Sequence, residues 1–243
     1  MAHGPGVALT IREKRFAGLP VPLLADLSFE VEPGTVVALV GPSGVGKSTL
    51  LRMLAGIDRA FDGVITIGGV PAYEAPPSGL VFQDSRLLPW LSAAGNIMAV
   101  RAETTLEDAR RWLGRVGLAG YEDALPDQLS GGMQRRVALA RALSVNSALL
   151  LLDEPFVSLD RVLVTEMQEL FAGLITAEGA TALLVTHLAE DAVSLADRAL
   201  ILDGRPARIA ADIPLTTPRN KRDAGDITRL SALLTAKLSE PAQ

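Results

Sequence analysis

Two kinds of hydrophobic pattern alternate along the chain. Short apolar runs rich in Val, Ile and Leu are typical of buried strands. They predict strands at 7–11, 27–32, 35–40, 79–82, 149–152 and 182–186. Longer stretches between them have the spacing of helices. This alternation indicates an α/β fold with a largely parallel core sheet.

The helical stretches have apolar residues three or four positions apart. They predict a helix that follows the segment 41–48 and continues to about 55, and further helices within 91–117 (most regular at 104–116), at 134–143 and at 224–238. No internal repeat and no Ser/Gly linker divides the chain. The prediction is therefore one domain over 1–243, in which 85–134 forms an inserted helical subdomain and 224–238 a C-terminal helix.

Composition narrows the possible chemistry. The 243 residues include no cysteine, which excludes disulfides, thiolate metal sites and cysteine nucleophiles. Only two histidines are present, and they leave little for a histidine-rich metal cluster. The net charge of -5 gives no excess of positive charge for neutralising phosphates, so we expect no nucleic-acid partner.

The chain is hydrophobic, with a mean hydropathy of +0.29, which raises the question of a membrane span. A spanning helix needs about 20 consecutive apolar residues. The longest uninterrupted apolar stretch, 148–152, is far shorter and ends at two carboxylates. The N-terminus lacks the basic and apolar regions of a signal peptide. We therefore expect no membrane span and a cytoplasmic location.

A glycine-rich loop follows the predicted strand 35–40 and precedes a predicted helix. It matches the phosphate-binding pattern G-x-x-x-x-G-K-[ST] at every position, with the residues Gly41, Pro42, Ser43, Gly44, Val45, Gly46, Lys47 and Ser48, followed by Thr49. Its backbone amides and the helix N-terminus suit a nucleotide phosphate, and Lys47 can reach the β- and γ-phosphate oxygens. Ser48 is a candidate Mg²⁺ ligand. A plain strand-to-helix turn is the alternative.

Two carboxylates follow the apolar strand 149–152. If this strand lies beside the one that enters the glycine-rich loop, Asp153 is suited to the Mg²⁺ site. Glu154 points away from the metal and could polarise the attacking water. The alternative is a solvated strand end.

A second candidate anion site precedes the predicted helix at 134–143. Ser130, Gly131 and Gly132 form an N-cap with free backbone amides, separate in sequence from the glycine-rich loop.

With this Ser-Gly-Gly triplet, the sequence resembles the ATP-binding-cassette (ABC) ATPases over nearly the whole chain. The resemblance implies a P-loop NTPase fold with an antiparallel N-terminal β region and an inserted α-helical subdomain. It implies ATP and Mg²⁺ as ligands and ATP hydrolysis as the activity. The motifs occur in the order of the family, from an aromatic residue that stacks on adenine to a switch histidine.

The resemblance assigns a role to several further residues. Phe16 corresponds to the adenine-stacking aromatic, Gln83 to the Q-loop, Asp160 to the D-loop and His187 to the switch histidine. The implied catalytic residues are Glu154, His187 and Gln83, and the implied metal ligands are Ser48, Gln83 and Asp153. Each assignment has an alternative: Phe16 as a core ring, Gln83 as a solvent-facing amide, His187 as a structural residue and Asp160 as a helix N-cap.

The resemblance also implies partners. ATP lies between two cassettes in this family, so a second ABC ATPase subunit, identical to the first, should complete the site. Because the chain encodes no span, transport would need separate transmembrane permease subunits, and a solute-binding protein would act indirectly. The cassette would then be peripheral to the cytoplasmic face of the inner (plasma) membrane.

An apolar segment at 87–91 follows the Q-loop and contains the sequence Leu-Leu-Pro-Trp-Leu. We expect it to dock on a partner helix, with Trp90 as the anchor; a local core of the helical subdomain is the alternative. Together with Leu-Ser-Gly-Gly-Met, the Leu-Leu-Pro-Trp run resembles the ATPases of nitrate, sulfonate and taurine importers. The 36 residues from Lys47 to Gln83 (83 − 47) are slightly few for that group.

Two other functions remain open at this point. A soluble ABC ATPase such as the iron–sulfur assembly type is similar in size. A P-loop kinase would use the glycine-rich loop without needing the Ser-Gly-Gly triplet. The transported substrate cannot be read from this chain, because it would contact the membrane subunits and the binding protein.

Overall fold

The computed structural model describes residues 4–145, 147–157, 159 and 161–239. Its strands are β1 Val7–Lys14, β2 Leu24–Val31, β3 Val36–Val40, β4 Asp62–Ile67, β5 Val70–Pro71, β6 Gly79–Val81, β7 Leu149–Asp153, β8 Thr181–Thr186, β9 Arg198–Gly204 and β10 Ala207–Pro214. Its α-helices are α1 Lys47–Leu54, α2 Ala93–Met98, α3 Leu106–Arg115, α4 Gly131–Ser144, α5 Arg161–Glu178, α6 Ala189–Leu195 and α7 Ala224–Ser239. Short 3₁₀ turns lie at Pro126–Gln128 and Arg219–Lys221.

The strands form a single sheet with the order β5-β4-β1-β2-β10-β9-β3-β8-β7-β6. Strands β9, β3, β8, β7 and β6 pair in parallel, whereas β2, β1, β4 and β5 pair in antiparallel fashion, and so do β9 and β10. The predicted fold class, a largely parallel core sheet with an antiparallel N-terminal β region, is confirmed.

The parallel strands are apolar throughout because helices cover both faces of this part of the sheet. All five residues of β3 are buried. Its odd and even positions face opposite sides: Val36, Ala38 and Val40 pack in one hydrophobic cluster with α5, α6 and α7, whereas Val37 and Leu39 pack in another with α1. This burial holds both ends of the central strand rigidly, including the end that enters the glycine-rich loop.

A third hydrophobic cluster joins α2, α3 and α4. Helix α4 belongs to two clusters, since Val137 and Ala140 face α2 and α3 while Leu139 and Leu143 face the core beside the sheet. Helix α4 therefore connects the helical region to the sheet. The bounds 85–134 of the helical subdomain stay a prediction.

The structure contains elements that the sequence patterns did not predict. The strands β4, β5 and β10 have mixed apolar and polar positions and are partly exposed. Strand β9 was also not predicted, although its four central residues are buried. Strand β2 begins at Leu24, three residues before the predicted start. Among the described residues, no helix has the length and apolar character needed to cross a bilayer.

Candidate functional site

The glycine-rich loop connects the buried end of β3 to α1. Two of its glycines are required by close packing. A Cβ at Gly41 would lie 2.3 Å from the carbonyl oxygen of Leu202, and one at Gly46 would lie 2.7 Å from a methyl group of Leu24. Gly46 also has φ of 114°, a conformation that disfavours other residues. The loop is therefore tightly packed against the core, and its backbone is available to a ligand.

Lys47 begins α1 and is only 4 % exposed. Its Nζ donates hydrogen bonds to the carbonyl oxygens of Gly41 at 2.8 Å and Pro42 at 2.9 Å, so the ammonium lies inside the loop. Burial lowers the pKa of Lys47, while the nearby carboxylates of Glu154 and Asp153 oppose this shift. A phosphate in the loop would meet a partly desolvated positive charge, where electrostatic attraction is strong.

Ser48 and Asp153 are brought together across 105 positions of sequence. The Ser48 hydroxyl donates to Asp153 Oδ1 at 2.8 Å. Burial raises the pKa of Asp153, and the hydrogen bond from Ser48 lowers it. A hydroxyl and a carboxylate side by side are hard oxygen donors of the kind that Mg²⁺ prefers. The described residues contain no cluster of three or more acidic or histidine ligands, so such an ion would also need phosphate oxygens.

Glu154 and His187 face each other at the ends of neighbouring parallel strands. His187 Nδ1 lies 3.2 Å from Glu154 Oε2, and the Glu154 side chain is 14 % exposed. Glu154 Oε1 is 4.0 Å from Lys47 Nζ. The carboxyl ends of parallel strands are where ligands of open α/β sheets bind. The strand order thus brings together Lys47, Glu154 and His187, which lie far apart in the sequence and were predicted as site residues.

The backbone separates the two adjacent carboxylates. Glu154 has φ of 46°, in the left-handed region, which is uncommon for a residue with a side chain. Its amide donates to the carbonyl oxygen of Val185 at 2.9 Å. Asp153 consequently faces Ser48, while Glu154 faces His187. The sequence analysis expected the two carboxylates to diverge but did not predict this strained backbone.

Phe16 and Gln83 lie at the edges of the site. The Phe16 ring is 38 % exposed, and Lys14 Nζ lies 4.6 Å from its centroid, so the core-ring alternative is wrong. The chain returns from Phe16 to Leu23, whose side chain abuts the Gly46 position. Gln83 is exposed and follows β6 by two residues. Their roles in nucleotide binding stay predictions.

The Ser-Gly-Gly triplet begins α4. Ser130 Oγ accepts a hydrogen bond from the Met133 amide at 3.3 Å, as an N-cap does. A Cβ at Gly132 would lie 2.3 Å from a methyl group of Leu163, whereas one at Gly131 would meet nothing within 4 Å. No hydrogen bond or ion pair in the described part of the chain joins this triplet to the glycine-rich loop.

Asp160, the predicted D-loop residue, lies outside the described residues. One buried acidic residue was missed by the sequence analysis. Asp191 follows His187 by one helical turn, and its side chain accepts hydrogen bonds from Gln168 and Thr186. Its spacing from His187 is a signal that could have identified it.

The segment 87–91 divides between core and surface. Leu87 packs against the cluster of α2, α3 and α4, as the local-core alternative states, but Trp90 is 72 % exposed. The buried Asn96 fixes the segment: its Oδ1 accepts from the Leu88 amide at 2.7 Å, and its Nδ2 donates to the carbonyl oxygens of Leu88, Leu91 and Ser92. Trp90 is thus held outward on an ordered loop.

Comparison with known proteins identifies similar chains and folds. The profile of the ABC transporter family matches residues 24–157. The aliphatic sulfonates import ATP-binding protein SsuB 1 of Pseudomonas savastanoi pv. phaseolicola is 42% identical over 225 residues, which cover 88% of this chain and 89% of the relative. SsuB 2 of Rhizobium johnstonii is 44% identical over 215 residues, covering 88% of this chain and 82% of the relative.

A solved structure has a similar fold. It is the dimeric post-hydrolysis state of the ATP-binding cassette MJ0796 bound to ADP and Pi, which has a TM-score of 0.76 and 26% sequence identity. The alignment covers 87% of this chain and 100% of that one. The similarity therefore extends over both the parallel sheet and the helical region.

Proposed function

The chain belongs to the ABC transporter family of ATP-binding cassettes, and from this premise we propose that it is the ATPase subunit of an importer for sulfonate-type anions. It binds and hydrolyses ATP, as the family does. One observation carries the catalytic part of the proposal: Glu154 lies 3.2 Å from His187 and 4.0 Å from Lys47, at the mouth of the glycine-rich loop.

Nucleotide binding begins with the glycine-rich loop. The phosphates of ATP would lie against the loop residues Gly41, Pro42, Ser43, Gly44, Val45, Gly46, Lys47, Ser48 and Thr49. The backbone N–H groups of these residues, apart from Pro42, which has none, would donate to the phosphate oxygens. The Lys47 ammonium would exchange its two carbonyl partners for phosphate oxygens, which strengthens both interactions because the new partner is charged. Phe16 would stack on the adenine.

Ser48 and Asp153 would hold Mg²⁺, with Gln83 as a further ligand. A bound Mg²⁺ neutralises charge on the β- and γ-phosphate oxygens. The 2.8 Å contact between Ser48 and Asp153 supports this assignment because both oxygens already converge on one point.

Glu154 would orient the attacking water and accept its proton. Its buried position strengthens the carboxylate's interactions, and its left-handed backbone keeps it apart from the metal-binding pair. The His187 imidazole, at hydrogen-bonding distance, would hold Glu154 in this orientation and contact the γ-phosphate.

Hydrolysis would take place in a dimer of two identical chains. The Ser130-Gly131-Gly132 triplet of one chain would close the phosphate site of the other, and Asp160 would lie at the interface. The dimeric state of the similar cassette MJ0796 supports this arrangement. The N-terminus of α4 supports it as well, since the first amides of a helix are suited to bind an anion.

Transport would couple this dimer to transmembrane permease subunits at the cytoplasmic face of the inner membrane, with a solute-binding protein acting indirectly. The helical subdomain at 85–134 would carry the docking surface, with Trp90 as its anchor. Its exposure and the Asn96 hydrogen bonds support this role. A soluble iron–sulfur assembly ATPase is not favoured, because the relatives are named as import ATP-binding proteins.

Phosphate release from Mg-ATP tests the proposed activity. Glu154→Gln removes the carboxylate while preserving its shape, and we expect turnover to fall by about 100-fold or more while ATP still binds. Glu30→Gln removes a similar charge from an exposed position on strand β2 and should leave turnover unchanged. Equal turnover of wild type and Glu154→Gln would assign the base elsewhere.

The sulfonate assignment needs a separate assay. The complex with its permease would be reconstituted in vesicles, and ATP-driven uptake would be measured for an alkanesulfonate and for nitrate. Uptake of the alkanesulfonate is expected. ATP hydrolysis without uptake of either anion would reject the substrate class but not the ATPase.

A further inference from the structure

A buried carboxylate lies one helical turn beyond His187. Asp191 is 5 % exposed and belongs to the first turn of α6. Acidic side chains are almost never fully buried unless they have partners. None of the nucleotide-binding motifs includes Asp191, so its burial has to be explained by what it contacts.

Two neutral side chains donate hydrogen bonds to the Asp191 carboxylate. Gln168 Nε2 on α5 donates to Oδ1 at 3.1 Å, and Thr186 Oγ1 at the end of β8 donates to Oδ2 at 3.1 Å. The Thr186 oxygen also accepts from the Leu188 amide at 3.0 Å. The residue before His187 therefore bonds to this carboxylate, and the residue after His187 bonds to the same Thr186 hydroxyl.

The same hydrogen bonds join α5 to the turn that carries His187, the partner of Glu154. Gln168 lies on α5, the helix that follows Glu154, and Thr186 lies beside His187. Because Asp191 holds both, loss of its hydrogen bonds would let the turn at 186–188 move relative to Glu154. This movement would disrupt the contact between His187 Nδ1 and Glu154 Oε2, which are 3.2 Å apart.

Glu190 and His187 are the titratable residues that act electrostatically on Asp191. Glu190 precedes it, His187 lies one turn before it, and Arg161 at the start of α5 is 3.8 Å from the Glu190 carboxylate. The α7 residues that line the same cavity of about 580 Å³ are the uncharged Ser231 and Thr235. No ammonium or guanidinium neutralises Asp191 directly among the described residues.

Burial raises the pKa of Asp191 to about 6. The hydrogen bond from Thr186 opposes this shift, Glu190 adds to it, and His187 and Gln168 oppose it. A protonated carboxyl group carries an O–H donor and has less capacity to accept. The ionised carboxylate of Asp191 can accept hydrogen bonds from both neutral donors, and it is the major form above this pKa.

From this geometry we propose that Asp191 is a positioning residue for ATP hydrolysis: through Thr186 and Gln168 it holds the His187 turn against Glu154. The inference rests on the proposed ATPase function. It predicts that catalysis, rather than ATP binding, depends on Asp191, because its hydrogen bonds do not involve the glycine-rich loop.

The test compares kcat and KM for ATP, from about pH 5 to about pH 8, in wild type, Asp191→Asn and Thr186→Val. We expect kcat at neutral pH to fall about tenfold or more in both variants while KM stays within about twofold, as misplacement of a catalytic group does. Wild-type kcat should decline below about pH 6, and Asp191→Asn should lose the part of this decline that Asp191 causes.

Asp197→Asn is the matched control. Asp197 accepts from the Val36 amide at 2.9 Å and from Arg219 Nη1 at 3.0 Å, away from the His187 turn. This variant should lower thermal stability but leave the shape of the pH profile unchanged.

The proposal would be overturned if Thr186→Val had the same kcat and the same pH dependence as wild type. This result would count even if Asp191→Asn failed to fold, because Thr186→Val removes the hydrogen bond from Thr186 to Asp191 and retains the carboxylate. A larger change in KM than in kcat would also overturn it. Absence of phosphate release from wild type would instead refute the proposed function.

Discussion

Replacement of Trp90 by alanine tests whether this side chain contributes to binding of the permease or to the stability of the fold. Trp90 is 72 % exposed, so folding removes 28 % of its surface from water. For a side chain of about 250 Å² this is about 70 Å², or roughly 2 kcal/mol at about 25 cal/mol per Å². Because the transfer coefficient refers to an extended unfolded chain, this figure is an upper estimate. We expect the melting temperature to fall by less than about 8 °C.

The expected loss is in binding to the permease. A buried tryptophan anchor typically contributes about 2 kcal/mol or more to an interface, which corresponds to about a 30-fold weaker Kd. Co-sedimentation with permease-containing vesicles and phosphate release by the isolated subunit would be measured on the same preparation. Docking should be lost while basal ATP hydrolysis is retained.

Trp112 provides the control. It packs against the cluster of α2, α3 and α4 and also against the core beside the sheet. Trp112→Ala should therefore create a cavity and lower stability by about 3–5 kcal/mol. If Trp90→Ala melted like Trp112→Ala and its folded fraction still bound the permease, the docking role of Trp90 would be refuted.

Three further predictions follow from individual contacts. Lys47→Met should weaken ATP binding about 10- to 100-fold, since a charge-assisted hydrogen bond is lost, and unchanged affinity by calorimetry would contradict the loop's role. Gly132→Ala should lower the urea midpoint by the equivalent of about 1–3 kcal/mol because its Cβ meets Leu163, whereas Gly131→Ala should change it little; equal effects would contradict the packing. The pKa of Asp191 rises from 3.8 to about 6 on folding, so its ionisation opposes folding above pH 4. The free energy of unfolding of Asp191→Asn relative to wild type should thus increase between about pH 4 and pH 7, by up to about 3 kcal/mol. A difference between the two proteins that does not change with pH in urea titrations would contradict the burial of Asp191.

The strands that were most clearly predictable from sequence are those buried on both faces. Strands β3, β7 and β8 are covered on both faces, so their apolar runs were unambiguous. Strands β4 and β10 have few buried positions, two in β4 and one in β10, and they include polar residues, so their short patterns resemble loops. Pairing partners far apart in sequence, such as β2 with β10, leave no local signal.

The grouping of the candidate site residues was predictable where a motif prescribes their spacing. Lys47, Ser48 and Glu154 belong to patterns whose spacing reflects phosphate geometry. The left-handed backbone of Glu154 and the hydrogen bonds of Asp191 depend on tertiary contacts, with Val185 in one case and Gln168 in the other. No sequence pattern specifies such contacts, so they required the structure.

ATP-dependent dimerisation is the most direct test of the central claim, that ATP is bound between two copies of this chain. Glu154→Gln would be sedimented with Mg-ATP, with Mg-ADP and without nucleotide. With Mg-ATP it should sediment at twice the 25.6 kDa of one chain, and it should be monomeric otherwise. Ser130→Glu, which places a charge at the α4 N-cap, should abolish the dimer. A Glu154→Gln chain that binds ATP and stays monomeric would contradict the account.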